Sequence, residues 1–222
     1  MQPEEAASQF AQRPIGEIAT NLPGATAVFR KFRLDFCCGG EAMLAEAASR
    51  RGADLAAIER ELQALDLDAE SDVPAESGAL IDYILSRYHE VHRRELPELI
   101  KLARKVEAVH ADHPRAPRGL ADILQQMAGE LEVHMKKEEL ILFPAITAGP
   151  RAGLTGPIAQ MRLEHDDHSA HLRRIDELCD GFAPPEGACR SWQALYAGAA
   201  KLVSDVMEHI CLENNVLFPR FE

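Results

Sequence analysis

The chain has 222 residues, with 24 Lys and Arg against 36 Asp and Glu, and therefore a formal charge of −12. This length is enough to bury a core in one large domain or in a domain with a small appendage. The acidic balance argues against nucleic acid or an anionic membrane as the main partner, since both are bound by an excess of basic residues.

The N-terminus and the cysteines bear on the compartment. The first ten residues, MQPEEAASQF, are acidic where a secretory signal is basic, and no apolar segment follows them. No stretch reaches the roughly 18 apolar residues that a membrane span needs. The five cysteines are odd in number and form no C-x-x-C spacing, so neither a disulfide framework nor a zinc ribbon is expected. The sequence therefore predicts a soluble, cytoplasmic protein in a reducing compartment.

Residues 1–65 predict a small helical domain. Pro14, the NLPG stretch and the Cys-Cys-Gly-Gly run provide the breaks between its helices. The four helices are expected over residues 15–21, 25–32, 41–50 and 54–65.

Residues 66–77 predict a solvated linker. Their sequence, DLDAESDVPAES, contains five acidic residues, one proline and no basic residue. Nearly half of the net negative charge therefore belongs to a connecting segment and not to a binding surface.

Residues 78–222 predict four longer helices, over about 79–109, 119–147, 157–179 and 185–218. Apolar residues recur there at three- and four-residue steps, and strand-like alternation is absent. The pattern indicates an all-α fold in which an antiparallel four-helix bundle follows the small helical domain.

Three prolines fall within these long helices. Pro97 lies inside the first, where it is expected to bend the axis. Pro144 and Pro219 each follow a Leu-Phe pair late in a helix, and we expect them to end or kink it.

The strongest signal is an internal repeat. The motif H-x-x-x-E-x-x-x-L-F-P occurs at His134 and again 75 residues later at His209. The motif H-x-x-H occurs at His89 and again 76 residues later at His165. Each half of the bundle is therefore expected to be a helical hairpin that carries both motifs, with an approximate two-fold axis relating the halves.

The spacing within the repeat predicts a metal site. Residues four apart share one face of a helix, so each H-x-x-x-E motif offers an imidazole and a carboxylate to one point inside the bundle. Facing helices of a bundle hold dinuclear metal centres in this manner. The expected ligands are four histidines and two glutamates: His89, His134, Glu138, His165, His209 and Glu213.

The donor types indicate the metal. If both glutamates bridge, each of two metals receives about five donors, counting an oxo or hydroxo bridge, and keeps an open position for a small ligand. Imidazole and carboxylate donors without thiolate favour iron or manganese, and iron is the redox-active choice. We therefore expect two iron ions per chain, bridged by an oxo or hydroxo group. A single motif would usually be a surface ion pair, but two matching pairs favour ligands.

The remaining histidines are assigned weaker roles. His92 and His168 lie three residues beyond expected ligands, so they are alternative ligands or hydrogen-bond partners of the ligands. His110 and His113 are expected to interact with the end of a helix dipole, and His171 is expected to face solvent.

The roles of four acidic residues close to the expected ligands are left open. Glu139, Glu164, Asp166 and Asp167 could accept hydrogen bonds from the ligand histidines. An exposed helix face explains them equally well.

At these motifs the chain resembles the hemerythrin-like di-iron proteins and, more narrowly, the repair-of-iron-centres (RIC) family with its ScdA-type N-terminal domain. The resemblance rests on DFCCGG at 35–40, YHEVHRRELPELI at 88–100, HMKKEELILFP at 134–144, EHDDH at 164–168 and HICLENNVLFP at 209–219. It implies the same six ligands, with the histidines terminal and Glu138 and Glu213 bridging. Oxygen-carrying hemerythrins use a fifth histidine and an H-x-x-x-x-D motif in the last helix, where this chain has H-x-x-x-E, so reversible oxygen carriage is not expected.

The resemblance also implies a function. The family is implicated in repairing iron-sulfur clusters damaged by nitrosative or oxidative stress, and the di-iron site would bind or reduce nitric oxide to N2O, donate iron, or both. The expected partners are nitric oxide and damaged iron-sulfur proteins, with no nucleic acid or membrane, and a homodimer is left open. Two other interpretations stay open: an O2 or nitric oxide sensor without turnover, and a metal-free or zinc-bound structural bundle.

Cys37 and Cys38 are the last candidates. Neighbouring cysteines in a reducing compartment are usually small apolar core residues, and a disulfide between neighbours is strained. Gly39 and Gly40 are expected to expose the pair, and the resemblance favours a redox or transfer role. In that role the two thiols would accept iron, nitric oxide or electrons.

Overall fold

The computed structural model describes residues 9–149 and 153–222. Within these ranges every regular element is helical, and the only β-type pairing there is an isolated bridge between Pro14 and Met43. The predicted all-α fold is confirmed. In the same ranges, no helix is both long enough and apolar enough to cross a membrane.

The chain divides into two compact units. The N-terminal unit contains the described residues up to Ala75 together with Met207–Arg220, and the bundle unit contains Glu76–Val206 with Phe221–Glu222. The chain thus contributes to the N-terminal unit twice, from its beginning and from the end of its last helix.

The N-terminal unit begins with four short helices close to the predicted positions. They are α1 Ile15–Asn21, α2 Ala25–Lys31, α3 Leu44–Arg51 and α4 Leu55–Gln63. The Asp54 carboxylate caps α4 by accepting a 3.2 Å hydrogen bond from the Ala57 amide. Gly52 ends α3 in the left-handed conformation that glycine adopts without strain (φ 70°). Fully buried apolar side chains from all four helices, such as Ile18, Phe29 and Ile58, form the core.

The predicted linker contains no regular structure over residues 66–76 and is mostly exposed. Two contacts fix it within the N-terminal unit. The Ser71 hydroxyl donates to the Thr20 carbonyl at 3.2 Å, and the Arg220 guanidinium donates to the Ala75 carbonyl at 2.7 Å. The segment is therefore mostly exposed, and hydrogen bonds at Ser71 and Ala75 anchor it to the N-terminal unit.

The bundle unit consists of the predicted long helices, three of them interrupted by a π turn. The elements are α5 Ser77–Ile84, π1 Leu85–His89, α6 Glu90–Val109, α7 Leu120–Lys137, π2 Glu138–Leu142, α8 Phe143–Thr147, α9 Thr155–Leu178 and α10 Arg190–Leu212. The last helix begins five residues later than predicted. After Val206 it enters the N-terminal unit, where π3 Glu213–Leu217 and a short 3₁₀ turn, Phe218–Arg220, follow.

The bundle core lies between helices whose buried residues recur every three or four positions. Helix α6 packs on α7, and α7 packs on α9. Leu124, Met127 and Leu131 are the buried stripe of α7. Helix α10 approaches α6 closely at Gly198, where an added Cβ would lie 2.9 Å from Leu99 Cδ1.

Pro97 and Pro144 lie within helices, whereas Pro219 lies in the closing 3₁₀ turn, where the last helix ends as expected. The helix continues through Pro97 to Val109, and beyond Pro144 to Thr147. Before Pro144 the Phe143 amide donates to the carbonyl of Glu138, five residues back, and before Pro219 the Phe218 amide donates to that of Glu213. A proline ring collides with the carbonyl four residues back, and the wider π turn relieves that collision. The Leu-Phe-Pro motif thus marks a π turn.

Candidate metal centre

The π turns coincide with expected ligands. His89 is the last residue of π1, Glu138 is the first of π2, and Glu213 is the first of π3. Single π turns inside α-helices are frequent at functional sites, because the extra residue changes the direction of the side chains beside it. Three of the six expected ligands therefore stand where the helix departs from regular geometry.

In the bundle unit, the carboxylate of Glu138 faces two imidazoles. Its Oε2 lies 3.4 Å from His89 Nε2, and its Oε1 lies 3.2 Å from His134 Nε2. The Glu138 side chain is fully buried, and the two histidine side chains are 1 % exposed. One oxygen directed at each of two histidines is the arrangement that a bridging carboxylate requires.

His165 completes the Glu138 cluster, which we define as His89, His134, Glu138 and His165. Its Nε2 lies 3.0 Å from the Nε2 of His134, and the residue is fully buried. Two donors at right angles on one metal, each bonded at about 2.1 Å, lie about 3.0 Å apart. The separations in the Glu138 cluster therefore fit nitrogen and oxygen donors around a metal ion.

The second H-x-x-x-E motif has the same local geometry in the N-terminal unit. His209 Nε2 lies 3.2 Å from Glu213 Oε1, and both side chains are buried. The distance equals that between His134 Nε2 and Glu138 Oε1. The sequence repeat is thus also a repeat of side-chain geometry.

Glu139 orients His89, one of the expected ligands in the Glu138 cluster. Its Oε1 lies 2.8 Å from His89 Nδ1, and it also accepts a 2.7 Å hydrogen bond from Arg93. Arg93 donates a further hydrogen bond of 2.7 Å to Glu132. Burial alone would raise the pKa of Glu139, but the hydrogen bonds from Arg93 and His89 lower it overall. Glu139 is therefore ionised at neutral pH and holds the His89 ring with Nε2 toward Glu138.

Glu164 does the same for His134. Its Oε2 lies 3.0 Å from His134 Nδ1, while its Oε1 accepts hydrogen bonds from Lys137 at 2.6 Å and Gln160 at 2.8 Å. Burial raises the pKa of Glu164, but these hydrogen bonds outweigh burial and lower the pKa to about 2. A carboxylate on Nδ1 assigns the proton to that nitrogen and leaves Nε2 as the donor to a metal.

Sequence reasoning left Glu139 and Glu164 undecided, and the structure explains why. Each stands next to an expected ligand in the chain but contacts a histidine of a different helix. Asp166 and Asp167, by contrast, are exposed. All four acidic residues stand close to an expected ligand in the sequence. That proximity did not distinguish the two that contact a histidine from the two that are exposed.

The structure also places the other five histidines. His92 and His168 are buried, and the His168 ring lies 5.0 Å from the ring of His134. His110 and His113 flank Trp192, with ring centroids 4.8 and 5.0 Å away. His171 does not face solvent as expected. Its side chain is only 16 % exposed and lies 3.2 Å from Glu130.

A pocket of about 530 Å³ opens on the bundle unit beside the Glu138 cluster. Its lining includes Glu130, Lys137, Glu164 and His168. Glu164 and His168 are both neighbours of His134. The pocket therefore brings solvent-accessible space to side chains that neighbour His134, an expected ligand.

The Cys-Cys turn, residues 35–40, lies in the N-terminal unit. Cys37 is buried and Cys38 is half-buried, so the glycines do not expose the first thiol as expected. Gly40 is itself buried, and an added Cβ there would lie 2.1 Å from Asn215 Oδ1. The side-chain amides of Asn214 and Asn215 donate to the carbonyls of Cys37 and Phe36, at 3.1 and 3.2 Å.

Comparison with known proteins agrees with this geometry. Residues 80–221 match the family described as hemerythrin HHE cation binding domain, and residues 11–66 match ScdA_N, described as a domain of unknown function (DUF542). The chain is 48 % identical to an iron-sulfur cluster repair protein YtfE of Citrobacter koseri, over 95 % of this chain and 97 % of the relative. It is 47 % identical to the protein of that name from Musicola paradisiaca, over 95 % and 96 %. A third protein of the same name, from Cronobacter sakazakii, is 48 % identical.

Proposed function

The chain belongs to the hemerythrin HHE cation-binding family, and we propose that it is a cytoplasmic di-iron protein of iron-sulfur cluster repair. The observation that carries this proposal is the Glu138 carboxylate, buried with one oxygen toward His89 and the other toward His134. The names of its relatives supply the repair role.

We propose that all six expected ligands form one centre for two iron ions. The bundle unit supplies His89, His134, His165 and Glu138, and the second copy of the motif supplies His209 and Glu213. The support is the repeat, in sequence and in the 3.2 Å spacing of each histidine and its glutamate. Nitrogen and oxygen donors without thiolate suit iron.

The residues behind the ligands determine how the centre is held. Glu139 and Glu164 keep the protons of His89 and His134 on Nδ1, so that each Nε2 lone pair is available. The positive charges of Arg93 and Lys137 balance the negative charges of these two carboxylates. Both carboxylates therefore stay ionised, and no net charge is added beside the site. Bound iron would supply redox chemistry and open positions for nitric oxide, and it is also the ion that a damaged cluster needs.

Metal analysis tests the site. The full chain, reconstituted with ferrous iron under anaerobic conditions and desalted, is expected to retain about two iron ions per chain. His134→Ala and Glu138→Ala are expected to lose most of this iron, whereas His110→Ala, beside Trp192, is expected to retain it. Unchanged iron content in both ligand variants would falsify the six-residue centre.

A repair assay tests the function. An iron-sulfur enzyme inactivated by nitric oxide is expected to recover activity when the iron-loaded protein is added, and not with Glu138→Ala. In the same reaction, to which a reductant is added because two nitric oxide molecules, two electrons and two protons give one N2O and one water, N2O formed in excess of the protein supports turnover of nitric oxide. A stable nitric oxide adduct, with neither recovery nor N2O, would favour the sensor interpretation instead.

We also propose a transfer role for Cys37 and Cys38, acting on iron, nitric oxide or electrons. The position of the two cysteines supports this role, because the Cys-Cys turn contacts Asn214, the residue directly after Glu213. Repair and N2O formation that are undiminished in the Cys37→Ser and Cys38→Ser double variant would remove this role.

A further inference from the structure

Three potential ligand atoms meet in the Cys-Cys turn. The Sγ atoms of Cys37 and Cys38 lie 4.0 Å apart, and the Cys37 Sγ lies 3.4 Å from Asp35 Oδ1. A ligand atom from each of the three residues lies within 4.8 Å of the others. The sulfur separation is far longer than the roughly 2.05 Å of a disulfide, so both residues are thiols.

These distances match tetrahedral coordination. Thiolates bonded to one zinc-like ion at about 2.3 Å lie about 3.8 Å apart, and such a thiolate lies about 3.6 Å from a carboxylate oxygen on the same ion. The observed 4.0 and 3.4 Å differ from these values by only a few tenths of an ångström. An ion can therefore be bound with small side-chain adjustments.

The turn is already fixed in this shape. Asp35 Oδ1 accepts hydrogen bonds from the amides of Cys38 at 3.0 Å and Gly39 at 3.3 Å, and Asn214 Nδ2 donates to the Cys37 carbonyl at 3.1 Å. The carboxylate and the two thiols are thus held on one side of the turn. Fixing the ligands before binding lowers the entropy cost of capturing an ion.

A third thiol nearby is unsuited to join the set. Cys211 Sγ lies 3.4 Å from Asn215 Nδ2, and Cys211 is outside the group of three mutually close donors. The set therefore has three protein donors.

From this geometry we infer that Asp35, Cys37 and Cys38 form a separate site for one thiophilic divalent cation, such as Zn²⁺ or Fe²⁺. Binding releases the two thiol protons to solvent and transfers no electrons. Three protein ligands leave the fourth tetrahedral position open, which is typical of sites that exchange a ligand and not of closed structural sites. If the proposed repair function is correct, the site is a place where an iron ion in transit is held.

The site can be tested apart from the di-iron centre, because only it contains sulfur. The full chain, reduced and oxygen-free, is titrated with Co²⁺. We expect a thiolate-to-cobalt charge-transfer absorption, removed by excess Zn²⁺, that persists in Glu138→Ala. A failed di-iron centre would thus leave this signal intact.

Variants assign the ligands. Cys37→Ser and Cys38→Ser are each expected to abolish the absorption, and Asp35→Asn to weaken Co²⁺ binding severalfold while it preserves the turn. The matched controls are Cys189→Ser, which removes an exposed thiol of the bundle unit, and Cys211→Ser, which removes a buried one. Both should retain the absorption. Absence of the absorption in the wild type, or its persistence in both Cys37→Ser and Cys38→Ser, overturns the site.

A measurement on the unmodified chain covers the case in which the serine variants do not fold, as judged by circular dichroism. Zn²⁺ is expected to slow the alkylation of Cys38 and to leave that of Cys189 unchanged. Equal rates for Cys38 with and without Zn²⁺ would contradict the site.

Discussion

The side-chain amide of Asn214 donates a 3.1 Å hydrogen bond to the carbonyl of Cys37, a residue 177 positions earlier in the chain. Asn214 directly follows Glu213, which begins π3. Asn215 repeats the contact by donating to the Phe36 carbonyl at 3.2 Å. Two consecutive asparagines thus attach the Cys-Cys turn to the helix that carries His209 and Glu213.

Removing the Asn214 amide should loosen this attachment. Asn214→Ala is expected to lower the free energy of unfolding by about 1–3 kcal/mol, because the buried Cys37 carbonyl loses this donor. It should also speed alkylation of Cys38 in the native protein. Urea unfolding and alkylation followed by mass spectrometry measure the two effects.

The matched control is Asn21→Ala, which removes an exposed 2.9 Å hydrogen bond to the carbonyl of Glu17 within α1. It should leave alkylation of Cys38 unchanged. An identical alkylation rate in Asn214→Ala and the wild type would contradict a role of Asn214 in holding the turn.

Gly40→Ala tests how tightly Asn215 is enclosed. The added Cβ would lie 2.1 Å from Asn215 Oδ1, and hydrogen bonds to the carbonyls of Phe36 and Cys211 restrain that side chain. We expect a loss of about 1–3 kcal/mol in the free energy of unfolding, the usual cost of overpacking. Thermal and urea unfolding measure it.

Gly78→Ala is the matched control for Gly40→Ala. An added Cβ at Gly78 meets no atom within 4 Å, and the residue lies in α5, where alanine is the better helix former. That variant should be neutral or slightly stabilised. Equal stability changes in the two variants would show that Asn215 moves aside without cost.

Much of the candidate site was predictable because its signal is periodic. The spacing of His134 and Glu138 places both on one face of a helix, whatever the helix packs against. The π turns were not predictable, since one widened turn hardly alters the apolar period and the prolines suggested helix ends or kinks instead. The partners of Glu139 and Glu164 depend on packing between helices, which a single sequence does not encode in any local pattern.

Glu139 and Glu164 are expected to control metal affinity without being ligands. Glu139→Ala and Glu164→Ala should each weaken iron binding roughly 10- to 100-fold, as is typical when the carboxylate behind a ligand histidine is lost. The rate of iron loss to a coloured ferrous chelator measures the change. The glutamine variants should be milder, because an amide oxygen still accepts the Nδ1 proton.

Glu132→Ala is the control for Glu139→Ala. Glu132 accepts a hydrogen bond from the same Arg93, and its hydrogen-bond and ion-pair partners among residues 9–149 and 153–222 are Arg93 and Lys136, neither of them a histidine. Its removal should leave the rate of iron loss close to that of the wild type. If Glu132→Ala releases iron as fast as Glu139→Ala, the effect arises from Arg93 and not from orientation of His89.

The buried thiols should differ sharply from the exposed one in reactivity. Burial raises the pKa of Cys179 to about 12, with a smaller contribution from the charge of Asp176. Because only the thiolate reacts, the raised pKa keeps Cys179 protonated and unreactive toward iodoacetamide up to strongly alkaline pH, whereas exposed Cys189 should react first. Time-resolved alkylation at pH 8 measures the order, and in urea the two residues should become equal. Alkylation of Cys179 as fast as Cys189 in the native protein would mean that the bundle opens at that position much more readily than its complete burial implies.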